Sequence, residues 1–571
     1  MPLPRRWAGR SARPWRPPWA LSTGREQGVP STSARRLNFR PMSHIETEDS
    51  PPADFHILDL FAGPGGLDVA ADALGYRVTG IEWDAGACAT RSAAGMDTFH
   101  GDVREYRAAF FPRAQVLTGG PPCQTFTVAG HGAGRRALDQ VVEYIERLHA
   151  VVRDTEECSG DPQAWVRVFR TWRKIHEELR RKEIEAQAVR DEKRDLERLR
   201  AEARKAMRDR LEQRGNSAEE IKKFLKEVKE PQSLDLPDDE LRNLLKVFGD
   251  LNDRLAELKD KLEKLGDERT GLVLQPLWWV IERSRRPGSK PYEAVVLEQV
   301  PAVMPVWKRY VEVLASLHYR TATQLMHTEA FGVPQTRRRA VLMARLDRPD
   351  LPEGPAEGLL PPVPETHELY HRRGSFVRLA KTEQADTLFS EEPAADDEET
   401  REERDPWISM EAALRNVEKH SAGKVRRRPP FSVVSNYGTG GVPEARGRRD
   451  HDAPSATITG KVSRNRVVHR ETDEDLDDGL DRFNNAEAGV LQTFPATYPW
   501  SGNDVSQQIG NAVPPRLALH VLLHVLEHEP DEKKARARLK RKVGTLEAWK
   551  PRASVKPLKH SGLKGHPLTG R

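Results

Sequence analysis

Apolar and polar residues alternate in blocks that fit two architectures. Residues 56–61 (His-Ile-Leu-Asp-Leu-Phe) form a short apolar run that ends in a glycine-rich turn, which reads as a buried strand. Residues 67–75 follow as a helix stopped by Gly75. Residues 77–83, 98–103 and 115–118 read as further short strands. The pattern resumes with a strand at 294–297, a helix around 304–317, and strands at 319–325 and 340–344. Strands alternating with helical stretches predict an α/β fold built on a parallel sheet.

Between these halves the period changes. Residues from about 139 to 266 are dominated by Lys, Arg, Glu, Leu and Ala, and 163–213, 217–229 and 238–265 read as helices. Gly215-Asn-Ser217 and residues 231–237 break them. Leu251, Leu255, Leu258, Leu262 and Leu265 recur at mixed three- and four-residue spacing, which predicts an antiparallel helical hairpin or short coiled coil. The flanks, 130–139 and 267–271, read as two halves of one loop split by the insert.

The later chain is less regular. It is Pro-rich at 349–365, acidic at 391–405 and basic at 424–428, which predicts a small irregular domain with acidic linkers. A second acidic run, 471–481, reads as a surface loop, and 484–530 returns to regular structure and closes back onto the sheet. The segments are therefore 1–50, a disordered Arg-rich extension; 51–138, the first part of the main domain; 139–266, the helical insert; 267–346, the second part; 347–455, the small domain; 456–530, the closing segment; and 531–571, a basic tail.

Composition adds a partner class. The 571 residues suffice for two to four domains. The net charge of +5 is small, but 533–571 carry 13 Lys/Arg against one acid, Glu547, and 1–40 carry nine Arg against Glu26. Basic ends suit a polyanion, most commonly nucleic acid; a solvated tail is the plainer alternative. Three cysteines (Cys88, Cys123 and Cys158) are too few for a disulfide framework and have no metal-ligand spacing. A reducing, cytoplasmic compartment and no metal are expected. No apolar run approaches the roughly 18 residues that span a bilayer, so no membrane partner is expected. The Arg-rich start resembles a transit peptide only superficially. It is rich in Pro and Trp, lacks amphipathic periodicity, and reads as translated upstream sequence with Met42 as the working start.

Several segments carry chemistry. Gly63, Gly65 and Gly66 follow a strand and precede a helix, where the absence of Cβ lets backbone turn tightly and approach a ligand. Glu82 ends the next strand and can accept ribose hydroxyls, Trp83 offers a face for adenine, and Asp102 is placed for the adenine amino group. The glycines lack the GxGxxG spacing of dinucleotide binders, which favours S-adenosylmethionine over NAD. Cys123 follows Gly119-Gly-Pro-Pro122, in a turn fixed by two prolines, and reads as a nucleophile; Cys88 and Cys158 lack such context and read as structural. Glu298 ends another strand, where a carboxyl can activate a base. Alternation along a strand puts Arg337 and Arg339 on one face and Arg338 on the other.

In chain order, Asp59-Leu-Phe-Ala-Gly-Pro-Gly-Gly66, Gly119-Gly-Pro-Pro-Cys-Gln124, Glu298-Gln-Val300, Gln335-Thr-Arg-Arg-Arg339 and Gln508-Ile-Gly-Asn-Ala-Val-Pro-Pro515 resemble the DNA (cytosine-5) methyltransferase family of bacterial type. Leu491-Gln-Thr-Phe-Pro495 and Ala456-Thr-Ile-Thr459 share the likeness. It covers roughly 54–130, 267–346 and 453–530, and neither the insert nor the tails. Where this chain has Glu-Gln-Val the family usually shows Glu-Asn-Val, so Gln299 keeps the amide on a longer arm.

The resemblance implies a Rossmann-like class I S-adenosylmethionine-dependent methyltransferase sheet, with 347–455 as a target-recognition domain. It implies a cofactor pocket of Phe61, Gly63, Gly65, Gly66, Glu82, Trp83, Asp102, Val103, Pro121, Asn511 and Val513. Cys123, Glu298, Arg337 and Arg339 would be catalytic, and Gln124, Gln335, Arg426, Arg427 and Arg428 would face DNA, with Lys424, Arg446, Arg448 and Arg449 as further candidates. It also implies double-stranded DNA as partner, a cytoplasmic, nucleoid-associated setting, and a restriction-modification or host-protection role. A cognate restriction endonuclease or other defence protein is a candidate partner for the insert, which is expected to project near the DNA. Two alternatives stay open: a tRNA cytosine methyltransferase, and a non-catalytic DNA-binding scaffold.

Overall fold

Strand β1 (His56–Leu60) buries Ile57, Leu58 and Leu60 completely, as a strand covered on both faces requires. It pairs in parallel with β2 (Arg77–Glu82) on one side and β4 (Val116–Gly119) on the other. β3 (Asp97–His100) and β5 (Ala294–Gln299) extend the parallel set. Then come β6 (Tyr319–His327), the two-residue β7 (Gln335–Thr336) and β8 (Arg338–Leu346), and the seven-stranded order is β3-β2-β1-β4-β5-β8-β6. β8 is antiparallel to both neighbours. The parallel sheet expected from the sequence thus ends in an antiparallel edge, because the connection from β6 to β8 is too short for a parallel crossover. The computed structural model describes residues 55–122, 133–156, 161–227, 239–265, 270–348, 358–371, 404–435, 447–477, 479–527, 529, 531–564 and 566–569. The extension 1–50, Cys123, Gln124, Cys158, Arg446 and most of the acidic run 391–405 lie outside them.

Helices α1 (Gly66–Leu74) and α2 (Ala85–Ala94) cross between the first three strands, and each ends on a glycine in the left-handed region, Gly75 and Gly95. Sequence order reverses beside β1, where the chain leaves β3 and re-enters at β4. That places a crevice at the carboxyl ends of β1, β2, β4 and β5.

The insert is helical where the sequence predicts it. α3 (Ala133–Arg153) leads to α4 (Pro162–Gln213), α5 (Ala218–Glu227) and α6 (Asp239–Leu265). Ion pairs Lys261–Glu185, Arg254–Glu192 and Arg210–Glu240 climb α4 while descending α6, so the two helices run antiparallel. The tip has its own small core of Met207, Leu211, Ile221, Leu241 and Leu245. The root is different: Ile145, Leu148, Val152, Val168, Trp172 and Ile175 share the main core with β1 and β4 residues. After the four-residue turn α7 (Thr270–Val273), α8 (Gln275–Arg285) puts Trp278 against Trp172, with ring centroids 4.8 Å apart and planes 5° apart. α9 (Met304–Ala315) follows β5.

The small domain is built on an antiparallel sheet, β10 (Arg448–Asp450), β9 (Phe431–Val434) and β12 (Arg466–His469), backed by α10 (Met410–Glu418). The boundary expected at 455 moves, because Val467 pairs with Val433 and keeps β12 in this sheet. α11 (Asn485–Leu491) begins with a complete capping box from Asn484 and Glu487. β11 (Ser455–Ala456) pairs with β7 and ties the small domain to the main one.

α12 (Val505–Asn511) and α13 (Pro515–Leu526) return to the sheet. Their combined stretch is apolar enough to resemble a membrane span, but it breaks between the helices and is mostly buried in the core. The basic C-terminal segment packs on the fold. α14 (Glu532–Glu547) lies on α1 and α13, Trp549 donates to Asp72 at 2.8 Å, and Leu558 brackets the β3 edge through Leu558 N–Thr98 O and His100 N–Leu558 O. His566 meets Asp97 at 2.7 Å, and Leu568 is buried. An otherwise exposed strand edge is covered by these contacts.

Candidate active site

The crevice collects side chains from the ends of four parallel strands. Phe61 follows β1 with φ 59 and Gly63 with φ +54; both lie in the left-handed region. A Cβ at Gly63 would meet nothing within 4 Å, so open space faces this turn. A Cβ at Gly65 would run into Met96, and one at Gly66 would overlap the Val513 carbonyl oxygen. The Tyr498 hydroxyl donates to the Pro64 carbonyl and fixes the turn from below. Overpacking this contact is expected to cost about 1–3 kcal/mol. Gly66→Ala should therefore lower the urea midpoint and weaken cofactor binding together; an unchanged midpoint would show that the Val513 segment is not packed there.

Glu82 ends β2 and accepts from the backbone N–H of Gly63 and of Asp84, both at 2.7 Å. Burial raises its carboxyl pKa, against those two hydrogen bonds. Trp83 is 70% exposed beside it, so its indole is free to stack on a ligand. Asp102 follows β3 and caps a 3-10 turn (Val103–Glu105) whose first residue, Val103, is buried. Its carboxylate is bound by Arg104: Nε lies 3.0 and 2.9 Å from the two oxygens, and Nη2 lies 2.5 Å from one. On the far side, Val513 packs against Gly66 while Asn511 is exposed, its Oδ1 accepting from Gln507 at 2.8 Å. The acid, the exposed indole and the glycine turn with open space above it fit S-adenosylmethionine.

Pro121 lies beside this cradle, and the loop beyond it carries Cys123, outside the described residues. Cys88 is buried, its thiol donating to the Glu82 carbonyl, and burial with the nearby Glu82 pushes its pKa up to about 12. It therefore stays a thiol.

Glu298 and Gln299 end β5. The Glu298 carboxylate is paired with Arg339, Nε to Oε1 at 2.6 Å, and both side chains are largely buried. Oε1 is buried against the Arg339 guanidinium. Oε2 lies 3.7 Å from where a Cβ on Gly120 would stand, so the carboxylate faces the Gly-Gly-Pro-Pro loop. The Gln299 amide donates to the Pro121 carbonyl, and its oxygen accepts from the Val300 N–H at 2.5 Å. The longer arm thus ties the proline turn to the acid-bearing strand. Losing one such bond is worth about 1 kcal/mol, so Gln299→Ala should slow turnover roughly fivefold to tenfold at unchanged cofactor affinity. Equal rates in single-turnover assays would remove Gln299 from this role.

The arginine strand separates into distinct tasks. Arg338 is exposed and Arg339 meets Glu298. Arg337 is 2% exposed, and its guanidinium donates to the carbonyls of Ile458, Gly510 and Ala512 at 3.2, 3.0 and 3.3 Å. Burial, helped by Arg339 and opposed by Glu298, lowers its pKa. Here Arg337 organises the closing segment instead of facing a substrate. Gln335 is similarly corrected: it is fully buried, accepting from Ile458 N at 2.6 Å and donating to Gln492 at 3.0 Å.

Arg426 and Arg428, expected to face DNA, have partners within the chain. Both grip the buried Glu487 carboxylate (2.8 and 2.7 Å) and neighbouring carbonyls, which fastens their loop to α11. Arg427, between them, and Lys424 are exposed. Arg448 pairs with Asp473 and Asp450. Arg449 reaches Thr336 at 3.2 Å and stacks on Tyr370. The sequence reading missed Tyr498 and Arg104. Tyr498 lies 434 residues from its partner, so no local signal marks it. Arg104 stands two residues after Asp102, a spacing that does hint at a local clasp.

Crevice, glycine turn and buried acid–arginine pair all lie at the carboxyl ends of the parallel strands of one α/β sheet. The model of the C-5 cytosine-specific DNA methylase family matches residues 55–149 and 289–527, more than half of the 571 residues, and the chain belongs to this family. Its gap falls on the helical insert. Curated relatives include the Type II methyltransferases M.AplI of Arthrospira platensis (38% identical over 108 residues, 18% of this chain and 31% of the relative) and M.HpaII of Haemophilus parainfluenzae (38% over 97 residues, 16% and 27%). The chain thus spans less than a third of the length of these relatives. The Type II methylase M.HgiDII of Herpetosiphon aurantiacus is 24% identical over 281 residues, 45% of this chain and 71% of that protein. Among solved structures, the S. pombe Dnmt2 methyltransferase aligns at 12% identity with a TM-score of 0.35, over 83% of this chain and 98% of its own.

Proposed function

We propose that this protein transfers a methyl group from S-adenosylmethionine to C5 of a cytosine in duplex DNA. The supporting observation is Glu298: a largely buried carboxyl held at Oε1 by Arg339 Nε at 2.6 Å, with its Oε2 facing the proline loop that leads to Cys123. A carboxyl held in this way suits the N3 and N4 edge of an incoming base, since it can pass a proton to the ring nitrogen and accept from the amino group. Membership of the family and relatives named Type II methyltransferases point to the same substrate class.

Cytosine C5 is a weak nucleophile within a duplex. The base is flipped into the crevice at an unstacking cost of about a few kcal/mol. The Cys123 thiolate adds to C6 while the Glu298 carboxyl, held by Arg339, accepts from the N4 amino group and passes a proton to N3, which neutralises the negative charge developing on the ring and is returned when the thiolate leaves. C5 then takes the methyl group of S-adenosylmethionine, which supplies an electrophilic methyl on a sulfonium. Loss of the C5 proton to a base such as water expels Cys123 and restores the aromatic ring. Glu82, Trp83 and the glycine turn would hold the donor, and Gln299 keeps the proline loop on the acid strand.

On this reading the protein acts on DNA in the cytoplasm, nucleoid-associated, in a restriction-modification or host-protection role, and a cognate restriction endonuclease is the partner class suggested by its relatives' names. The test is base-resolution cytosine mapping of DNA from a methylation-free host expressing this chain or an empty vector. 5-Methylcytosine at one short motif, only with the chain, is the expected result. Unmodified DNA together with labelled RNA would move the activity to RNA, and neither product would leave a binding protein.

A further inference from the structure

The root of the helical insert grips the segment that carries Asp102. Arg104, whose Nε and Nη2 clasp Asp102, gives its remaining nitrogen, Nη1, to Glu183 of α4 at 2.9 Å. Asp102 is 12% exposed, and Arg104 and Glu183 are partly exposed at 27% and 31%. Three residues on, the Arg107 guanidinium sits 5.2 Å from the Phe169 ring of the same helix and also pairs with Glu282 of α8. Beneath them Val103, Tyr106 and Phe111 share one core with Val168, Trp172 and Ile175. Helix α4 of the insert therefore forms one wall of the segment after β3, although it lies outside the family match.

We propose that Glu183 is a positioning residue for the cofactor site, acting through Arg104 on Asp102; this rests on the methyltransferase reading above. A carboxylate has about four acceptor positions. Arg104 occupies several of Asp102's, since its backbone N–H also donates to Oδ1 at 2.9 Å. Glu183 holds the other end of the guanidinium and fixes the line along which it approaches. Without Glu183, Arg104 is free to close fully over Asp102 and take the acceptor positions that a bound adenine amino group needs. The insert is then part of the cofactor site, whatever its distal helices do.

The experiment is calorimetric titration of S-adenosylmethionine into the full-length protein without DNA. Partly exposed ion pairs are modest, so Glu183→Gln is expected to raise Kd about threefold to fivefold, with Glu183→Asp recovering most of it. Steady-state kinetics should show the same rise in KM for the cofactor at unchanged kcat. Glu178→Gln breaks a second ion pair of the insert root, with Arg147 at 2.8 Å, that does not touch this segment, and should leave Kd unchanged. In an Asp102→Ala background, Glu183→Gln should add nothing. Equal weakening by Glu178→Gln, or a full additional loss in the Asp102→Ala background, overturns the proposal. Wild-type protein that binds no cofactor would instead sink the methyltransferase reading, and this proposal with it.

Discussion

Cys123→Ala protein is expected to transfer no methyl groups above background, and Glu298→Gln protein to be slower by about 10²–10⁴-fold, with cofactor affinity kept in both. The two losses have different origins. Without the thiolate, no adduct at C6 forms and C5 never becomes a nucleophile. Without an ionisable carboxyl, no proton is passed to N3 as the thiolate adds, so the negative charge that develops on the ring is left uncompensated in a water-poor site. The Glu298–Arg339 pair makes the second prediction specific, since Arg339 Nε lies 2.6 Å from the carboxylate. Glu298→Gln also leaves Arg339 without its charge partner, so Arg339→Lys, which keeps a cation there, should be milder than Arg339→Ala. Single-turnover rates with labelled cofactor, beside calorimetric cofactor affinities, separate the chemical step from binding. Retained turnover in Cys123→Ala would exclude a covalent route through this cysteine. A Glu298→Gln enzyme at wild-type rate would make the buried acid structural.

Much of this site was legible in the sequence because it sits at strand ends, where motif and geometry coincide. Gly63, Glu82 and Glu298 each end or follow a strand whose apolar run is plain, and the chain brings them to one crevice. The insert helices were legible for another reason: Lys, Glu and Leu at three- and four-residue spacing specify helix with little help from tertiary contacts. Arginine roles were not legible. Arg337 read as catalytic and Arg426 and Arg428 as facing DNA, yet each satisfies an internal acceptor: the carbonyls of Ile458, Gly510 and Ala512 for Arg337, the Glu487 carboxylate for the others. Sequence shows that a guanidinium is present, whereas its partner is fixed by packing between segments tens of residues apart. The antiparallel β8 was hidden similarly, because strand direction depends on connection length, and residues 328–337 contain a 3-10 turn and a two-residue strand instead of a crossover helix. The insert root was hidden because its apolar spacing matches that of the distal helices. Ile145, Val168 and Trp172 belong to the main core, so deleting all of 145–262 would remove part of that core, and a cut confined to the distal hairpin is the better probe of partner binding.

Asp68→Ala is expected to cost about 3–5 kcal/mol of stability, the largest structural effect proposed for this chain, because it strands the Arg91 charge beneath the glycine turn. Arg91 is fully buried and bidentate to Asp68 at 2.8 and 2.7 Å, with its Nε donating to Thr98 at 2.9 Å. One turn of chain away, Asp59 is buried and accepts from the Thr118 hydroxyl at 2.8 Å. Burial, then repulsion from Asp68, pushes its carboxyl from 3.8 up to about 8, against the Thr118 hydrogen bond and Arg91. Its sign is opposite to that of a salt-bridged acid. Between those two values the folded state keeps a proton that the unfolded state has released, so stability falls as pH rises. The Asp59 contribution is full below its unfolded value and is lost as pH rises through about 8. The slope approaches about 1.4 kcal/mol per pH unit in that window. Asp59→Asn keeps a polar partner for Thr118 without an ionisable group, and should flatten the slope. Urea midpoints of wild type and Asp59→Asn at about pH 5 and about pH 8 decide it. Parallel slopes would mean that Asp59 ionises freely in the fold. A steeper wild-type fall, with Asp68→Ala low throughout, would show that the charged floor beneath the glycine turn, more than the turn itself, sets the pH range in which the cofactor crevice holds together.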